Sequence, residues 1–281
     1  MEIIKNRIEL GVKTPFKILH ITDCHLTPVG DLDNERKHIL AGKRFKTFGY
    51  EKCLEYYLEI TKYGRDNSLP MICTGDLIDF TSYEAFDVLD RECKLNNLIF
   101  AVGNHEFSQY VGEAKEDFFY KMQSYTSVQS AIHSPIDFAS NIINGVNFIT
   151  LDNVYYDFTL KQLELLKAEC EKPYPIVLCM HTPIYSEDYF TERQGGNTSE
   201  VVYMCGCPDE KIKDYPPMRF EQQRTTKETA DFINYVMQSP KVKLILAGHT
   251  HRNYECTLEN GIPQLITAGT FDGFAREIEI V

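Results

Sequence analysis

The sequence predicts an α/β (α+β) fold, a four-layer αββα sandwich of two mixed β-sheets flanked by helices. Three observations carry this expectation. In the first half, short apolar runs alternate with segments of helical period, the pattern of strands joined by crossover helices. In the second half, Asn144-Gly145 and Asn260-Gly261 each separate two strand-like runs, as in β-hairpins. Five amphipathic helical segments then suffice to cover the outer faces of two stacked sheets, which must bury their apolar faces against another layer.

Taken in order, residues 1–14 read as an edge strand and a turn. Phe16 to Thr22 is a strand running into Asp23-Cys24-His25. Residues 26–48 carry Asp31, Asp33, Arg36, Lys37, Lys43 and Arg44 with little apolar periodicity, so a loop with a short helical piece is expected near the mouth of a site. Cys53, Leu54, Tyr57, Leu58 and Thr61 recur at helical spacing and predict a helix over 49–64, stopped by Gly64 and Asn67. Leu69 to Cys73 is the next strand, ending at Gly75-Asp76. Thr81-Ser82-Tyr83-Glu84 has the form of a capping box that opens a helix to 95. Leu98 to Val102 is a strand running into Gly103-Asn104-His105-Glu106, and a helix over 111–125 is expected to turn Phe118, Phe119 and Met122 inward.

Residues 137–151 read as a hairpin with a type I′ turn. Thr159-Leu160-Lys161-Gln162 is a second capping box, opening a helix to 172 whose apolar face is Leu160, Leu163, Leu166 and Cys170. A strand over 175–180 delivers His181. Residues 182–224, with Gly195-Gly196-Asn197 and Pro216-Pro217, look long and irregular. Such loops in compact domains are mostly functional or disordered, so a lid-like insertion at 182–224 is expected within one domain spanning 1–281. Thr225-Thr226-Lys227-Glu228 is a third capping box, for a helix to 238. The strand 242–247 delivers His249 and His251, and strands over 253–258, 262–268 and 274–281 complete the chain.

A chain of 281 residues suits one large domain, and an apolar fraction of 43% is ordinary for a globular protein. The net charge of -12 argues against a protein that grips nucleic acid over a broad basic surface. It is compatible with a metal-centred site that contacts a phosphate, because bound divalent cations invert the local sign. No run reaches the roughly 18 apolar residues of a membrane span, and Met-Glu-Ile-Ile-Lys-Asn-Arg lacks the apolar core of a signal peptide. The nine cysteines are scattered, with Cys24, Cys53, Cys73 and Cys179 inside apolar runs. They read as reduced thiols, and a cytoplasmic location is expected.

Five strand-like runs end on Asp, Asn or His: at Asp23 and His25, at Asp76, at Asn104, at His181, and at His249 and His251. Ligands of open α/β sheets gather beyond the carboxyl ends of the strands, so this is a metal-ligand set converging on one place. Two divalent metals held about 3.5–4 Å apart need a bridging carboxylate and several terminal ligands. Asp76, with two carboxylate oxygens, can bridge. The Asn104 amide is a neutral ligand that keeps such a site cationic.

These blocks, Asp23-x-His25, Gly75-Asp76-x-x-Asp79, Gly103-Asn104-His105-Glu106, His181 and Gly248-His249-x-His251, resemble in order and spacing those of the calcineurin-like metallophosphoesterase superfamily. The resemblance spans 23–251. It implies two divalent metal ions (Mn, Fe, Zn, Ni or Mg), the first held by Asp23, His25, His251 and Asp76, the second by Asp76, Asn104, His181 and His249. It implies a metal-bridging hydroxide attacking phosphorus, with His105 as general acid and Asp79 fixing the tautomer of that imidazole. The substrate class it implies is a small-molecule phosphomonoester or phosphodiester. Phe80-Thr81 follows Asp79 and Val102 precedes Gly103, where phosphoprotein phosphatases carry arginines. Asp79 also stands where purple acid phosphatases carry tyrosine. The bacterial-type phosphohydrolases and class III phosphodiesterases are the groups left.

The alternative reading is a catalytically inert, metal-bound interaction scaffold of the same fold. It is disfavoured because all the ligand positions, His105 and Asp79 are present. A nuclease is disfavoured by the acidic composition. Glu106 reads as a supporting residue and His20 as a core histidine, with His38 and His133 outside the site. Cys205 and Cys207 read as plain loop residues, lacking the two further ligands of a zinc site. Arg193, Arg219 and Arg224 are candidates to hold phosphate from the lid.

Overall fold

The computed structural model describes residues 1–113 and 115–281, apart from the side chains at 47, 48, 50 and 51. The strands are β1 (Glu2–Ile8), β2 (Phe16–Ile21), β3 (Met71–Cys73), β4 (Ile99–Phe100), β5 (Phe138–Ile143), β6 (Val146–Leu151), β7 (Ile176–Met180), β8 (Val242–Ala247), β9 (Tyr254–Thr257), β10 (Pro263–Ile266) and β11 (Phe274–Ile280). The helices are α1 (Glu35–Phe48), α2 (Tyr50–Asp66), α3 (Tyr83–Leu95), α4 (Phe118–Met122), α5 (Tyr125–Ala131), α6 (Leu160–Cys170), α7 (Glu187–Gln194), α8 (Asp209–Ile212), α9 (Pro217–Gln223) and α10 (Lys227–Gln238). One sheet has the order β1-β11-β2-β3-β4, the other β5-β6-β7-β8-β10-β9. Both are mixed: β2, β3 and β4 run parallel, as do β6, β7, β8 and β10, while β11 opposes β2 and the two hairpins are antiparallel.

The unbroken apolar runs have two buried faces to fill. Ile18, Ile72, Phe148, Val177 and Leu244 point between the sheets. Their strand neighbours Leu19, Met71 and Cys73 point outward beneath Tyr57 and Ile60 of α2, Val88 and Leu89 of α3 and Val128 of α5. On the second sheet Ile149, Leu178 and Ile245 point outward against Leu163 and Leu166 of α6 and Phe232 and Val236 of α10. The result is the four-layer sandwich. Each fully buried Leu or Ile in it is worth about 1.5–3 kcal/mol. His20 is a core histidine that joins the sheets, its Nε2 2.8 Å from Thr74 Oγ1 and its Nδ1 2.9 Å from Thr267 Oγ1. Burial and the Arg276 guanidinium push it down to about 3, so it stays neutral.

Several local expectations are corrected. Residues 26–48 are not mainly loop, because α1 occupies fourteen of them. Asn34 caps it by accepting from the Lys37 N–H, and Gly49 ends it in the left-handed conformation. Among its described residues only Lys37 and Ala41 are buried, which is why apolar periodicity does not reveal it. The helix expected over 111–125 is replaced by α4 and α5, with Ala114 outside the described residues. Phe118, Phe119 and Met122 are exposed, not inward. Asp117 caps α4 at its first residue, and the short helix turns Tyr120 in instead, to accept from the Gln109 N–H at 2.7 Å.

Leu54, Leu58 and Leu160 are also exposed. The buried stripe of α2 is Cys53, Tyr57, Ile60 and Thr61, one position round the helix from the two leucines, and Leu160 lies at the very start of α6. The capping box at Thr159 and Gln162 is present. At α3 and α10 the caps are Ser82 and Thr226, one residue later than expected, and with Ala85 and Thr229 at the third helical position no reciprocal bond forms. Residues 182–224 are folded rather than irregular: α7, α8 and α9 enclose a small core of Tyr189, Phe190, Val202, Met204, Ile212 and Tyr215. Cys205 and Cys207 are buried thiols there, and all nine cysteines are buried and unbridged. No described helix is long and apolar enough to cross a membrane.

Candidate metal centre

The strands β2, β3 and β4 of one sheet and β7 and β8 of the other end on a common edge, and the loops leaving them carry Asp23 and His25, Asp76 and Asp79, Asn104 and His105, His181, and His249 and His251. Asp23, His25, Asp76, His249 and His251 all have positive φ, between 48° and 68°. This conformation costs a non-glycine residue of order 1–3 kcal/mol, and it persists where surrounding contacts over-determine a functional geometry. Two glycines allow the approach of the loops. A Cβ on Gly103 would collide with the Asp76 carboxylate, and one on Gly248 with Thr22 Oγ1 and Asp23 Oδ2.

Two groups of donors face each other across Asp76. In the first, His25 Nε2 lies 3.0 Å from His251 Nε2, and Asp23 Oδ1 is 3.2 Å from His251 Nε2. In the second, His181 Nε2 lies 3.0 Å from His249 Nδ1 and 3.1 Å from Asn104 Oδ1. Asp76 Oδ2 is 3.2 Å from His181 Nε2 and 4.0 Å from His25 Nε2. Its Oδ1 instead accepts the His105 N–H at 2.8 Å, so a single oxygen, Oδ2, is left facing both groups. Asp23 Oδ1 is buried without a hydrogen-bond partner. Ring nitrogens pointed at one another and an orphaned carboxylate oxygen are what a pair of cation sites with mixed N/O ligands would leave, and the donor set fits two divalent metals.

Burial opposes ionisation of Asp76, but the His181, His105 and His25 rings outweigh it and hold the carboxyl well below the usual range. Burial likewise opposes a charged His105, but Asp76 and Asp79 outweigh it and raise the imidazole to about 10. His105 Nδ1 lies 2.6 Å from the Asp79 carbonyl oxygen and 3.2 Å from its carboxylate. A carbonyl can only accept, so Nδ1 carries a proton and Nε2 carries the second one in the charged ring. The Asp79 carboxylate is also 2.9 Å from His25 Nδ1 and receives Arg44 in a two-pronged pair, at 2.5 Å from Nε and 2.7 Å from the terminal nitrogen. One side chain thus orients a ring of the donor set and touches the ring of His105.

The pairing of Arg44 with Asp79 was not foreseen from the sequence, whereas Glu106 takes the supporting place expected of it. Glu106 is fully buried and accepts from the N–H groups of Asp76, Leu77, Ile78 and Gly103 at 2.7–3.3 Å, which fixes the loop that carries Asp76. Burial and the Asp76 charge push its carboxyl up to about 7, against the pull of the Gly103 and Asp76 N–H groups. Glu106→Gln turns an NH₂ toward backbone donors and should lower stability by about 3 kcal/mol in urea unfolding. An unchanged midpoint would contradict the anchoring role. Arg44→Ala frees the Asp79 carboxylate from its strongest partner and should reduce turnover about 10–100-fold with metal content retained. Equal rates for the variant and the parent chain would contradict the positioning role.

The donor groups open into a cleft of about 370 Å³, whose other walls include Tyr110, Tyr155, Tyr156 and, from residues 182–224, Arg193, Tyr203 and Arg219. Tyr203 and Tyr156 both set their rings edge-on to His249, and Arg219 lies over Tyr203 while pairing with Glu116 at 2.9 Å. Arg224 does not line the cleft and pairs with Glu221 on the surface.

The sequence profile of the calcineurin-like phosphoesterase family matches residues 16–253, and the chain belongs to that family. The family uses a dinuclear metal centre. No curated protein is similar to the chain in sequence. Among solved structures, a dimetal phosphatase from Danio rerio is similar at 14% identity and TM-score 0.49, over 91% of this chain and 88% of the other. The phosphopantetheinyl hydrolase of Mycobacterium tuberculosis is similar at 12% identity and TM-score 0.44, over 94% and 90%. The NAD nucleotidase of Haemophilus influenzae is similar at 13% identity and TM-score 0.42, over 91% of this chain and 45% of the other.

Proposed function

We propose that the protein hydrolyses a small-molecule phosphoester with two divalent metal ions. The first is held by Asp23, His25, His251 and Asp76, the second by Asp76, Asn104, His181 and His249. The observation that carries this reading is the position of Asp76 Oδ2 between the two donor groups. Two cations there would generate a nucleophile from water near neutral pH and offset charge on the phosphoryl oxygens. His105 is the general acid: its Nδ1 proton is held by the Asp79 carbonyl and its Nε2 proton goes to the leaving oxygen. Asp79, braced by Arg44, keeps His25 and His105 in register. Arg193 and Arg219, on a lid formed by residues 182–224, grip anionic oxygens of the substrate, a role that Phe80 and Val102 cannot fill.

The test compares p-nitrophenyl phosphate with bis-p-nitrophenyl phosphate, using metal-free protein refilled with Mn²⁺. A preference for the diester that Asp76→Asn abolishes assigns a phosphodiesterase, and a preference for the monoester assigns a phosphatase. Metal-loaded protein inert toward both, and toward alkyl esters, would contradict the reading and favour an interaction scaffold.

A further inference from the structure

Beside the cleft runs a larger groove, about 1350 Å³, between α4, α6 and α9. Five of the large apolar side chains exposed on the chain line it: Phe118, Met122, Leu160, Leu165 and Met218. Single exposed apolar residues are ordinary, but a convergence of five along one groove marks a binding surface. The groove does not stand apart from the metal centre. Lys115, Glu116 and Tyr155 line both cavities, so the two adjoin. Helix α9 serves both as well, with Met218 facing the groove and Arg219 the cleft. At the junction Tyr155 and Tyr156 are held at φ 67° and 72°, two successive non-glycine residues in the left-handed region.

The charge around the groove says what fits. Eight acidic side chains and three lysines line it; Asp152 pairs with Lys121 and Glu116 with Arg219, while Asp137 accepts from the Tyr125 hydroxyl and Asp157 from those of Thr226 and Thr229, neutral groups that do not cancel a charge. The surplus of negative charge along the groove disfavours the phosphoryl group there, while the apolar surface remains open beside the metal centre. We propose that the groove holds the apolar chain of the substrate's leaving group, so that the substrate is an amphiphilic phosphoester with its phosphoryl group at the donor cluster and its hydrocarbon portion between α4, α6 and α9. This inference rests on the phosphoesterase reading of the cleft.

The test uses the full chain loaded with Mn²⁺ and two esters, ethyl phosphate and octyl phosphate, alongside calorimetry with the unhydrolysable ethylphosphonate and octylphosphonate. The octyl ester should exceed the ethyl ester in kcat/KM by at least ~50-fold, the yield of three buried methylenes at about fourfold each. Met218→Glu and Leu160→Glu, both at exposed positions, should each cut that ratio to less than about fivefold. Leu95→Glu, exposed on α3 away from the groove, should leave it intact. Equal kcat/KM on the two esters would overturn the groove assignment and leave the phosphoesterase reading standing. No turnover of either ester, with octylphosphonate still binding at least ~10-fold more tightly than ethylphosphonate, would uphold the groove and overturn the hydrolytic reading. Equal rates together with a concentration-dependent dimer that Met218→Glu dissociates would give the groove to a second copy of the chain.

Discussion

Replacing His105 with alanine is expected to slow hydrolysis of an alkyl phosphate ester by about 10²–10⁴-fold while the metal content stays that of the parent chain. The direction follows from the proton inventory of the ring. Nδ1 is committed to the Asp79 carbonyl, so only the charged imidazole has a proton at Nε2 to give. Against the cost of burial, Asp76 and Asp79 raise that imidazole to about 10, and the acid form is therefore present at neutral pH and lost as pH rises through its pKa. Cations bound at Asp76 would draw the value down from there. Turnover of a poor leaving group should thus show a basic limb above the ordinary histidine range near ~6.5, and His105→Ala should remove the limb. A p-nitrophenyl ester, whose leaving group needs little protonation, should lose much less. Near-parental rates on an alkyl ester would contradict the general-acid role.

The second large effect concerns the ligands. Asp76→Asn should take the chain from two metals to one or none by elemental analysis, with activity falling at least ~10³-fold. The carboxylate Oδ2 faces both donor groups, while Oδ1 is engaged by the His105 N–H. An amide in its place offers one neutral oxygen, which cannot satisfy the backbone donor and two cations together. Retention of two metals by the variant would contradict the bridging assignment.

The donor cluster was legible in the sequence because each apolar strand run stops where its residue of the cluster begins, and the strand ends of an α/β sandwich share one edge. The sandwich was legible for a related reason: two buried faces demand strands without polar alternation, and the helices between them carry visible stripes. Helix α1 was not legible through periodicity, since its buried described positions, Lys37 and Ala41, make no stripe. Its caps, Asn34 and Gly49, were the signal available. Arg44 could not be found at all without α1, because its pairing with Asp79 joins residues 35 apart in the chain and leaves no local pattern. Glu106 was legible as a supporting residue, but its partners were not, since they are backbone N–H groups that carry no sequence signature. The groove escaped because Phe118 and Leu160 were assigned to buried faces on apolarity, whereas short helices and helix starts leave such residues at the surface.

The claim on which all of this depends is a dinuclear hydrolytic centre, and a metal titration of the metal-free chain tests it most directly. With Mn²⁺ added stepwise, metal bound per chain and hydrolysis of p-nitrophenyl and bis-p-nitrophenyl phosphate are followed together. The account predicts saturation at two ions per chain, with turnover of one of the esters appearing as the second ion binds. Saturation at one ion, or two bound ions with neither these esters nor alkyl phosphates turned over, would contradict it.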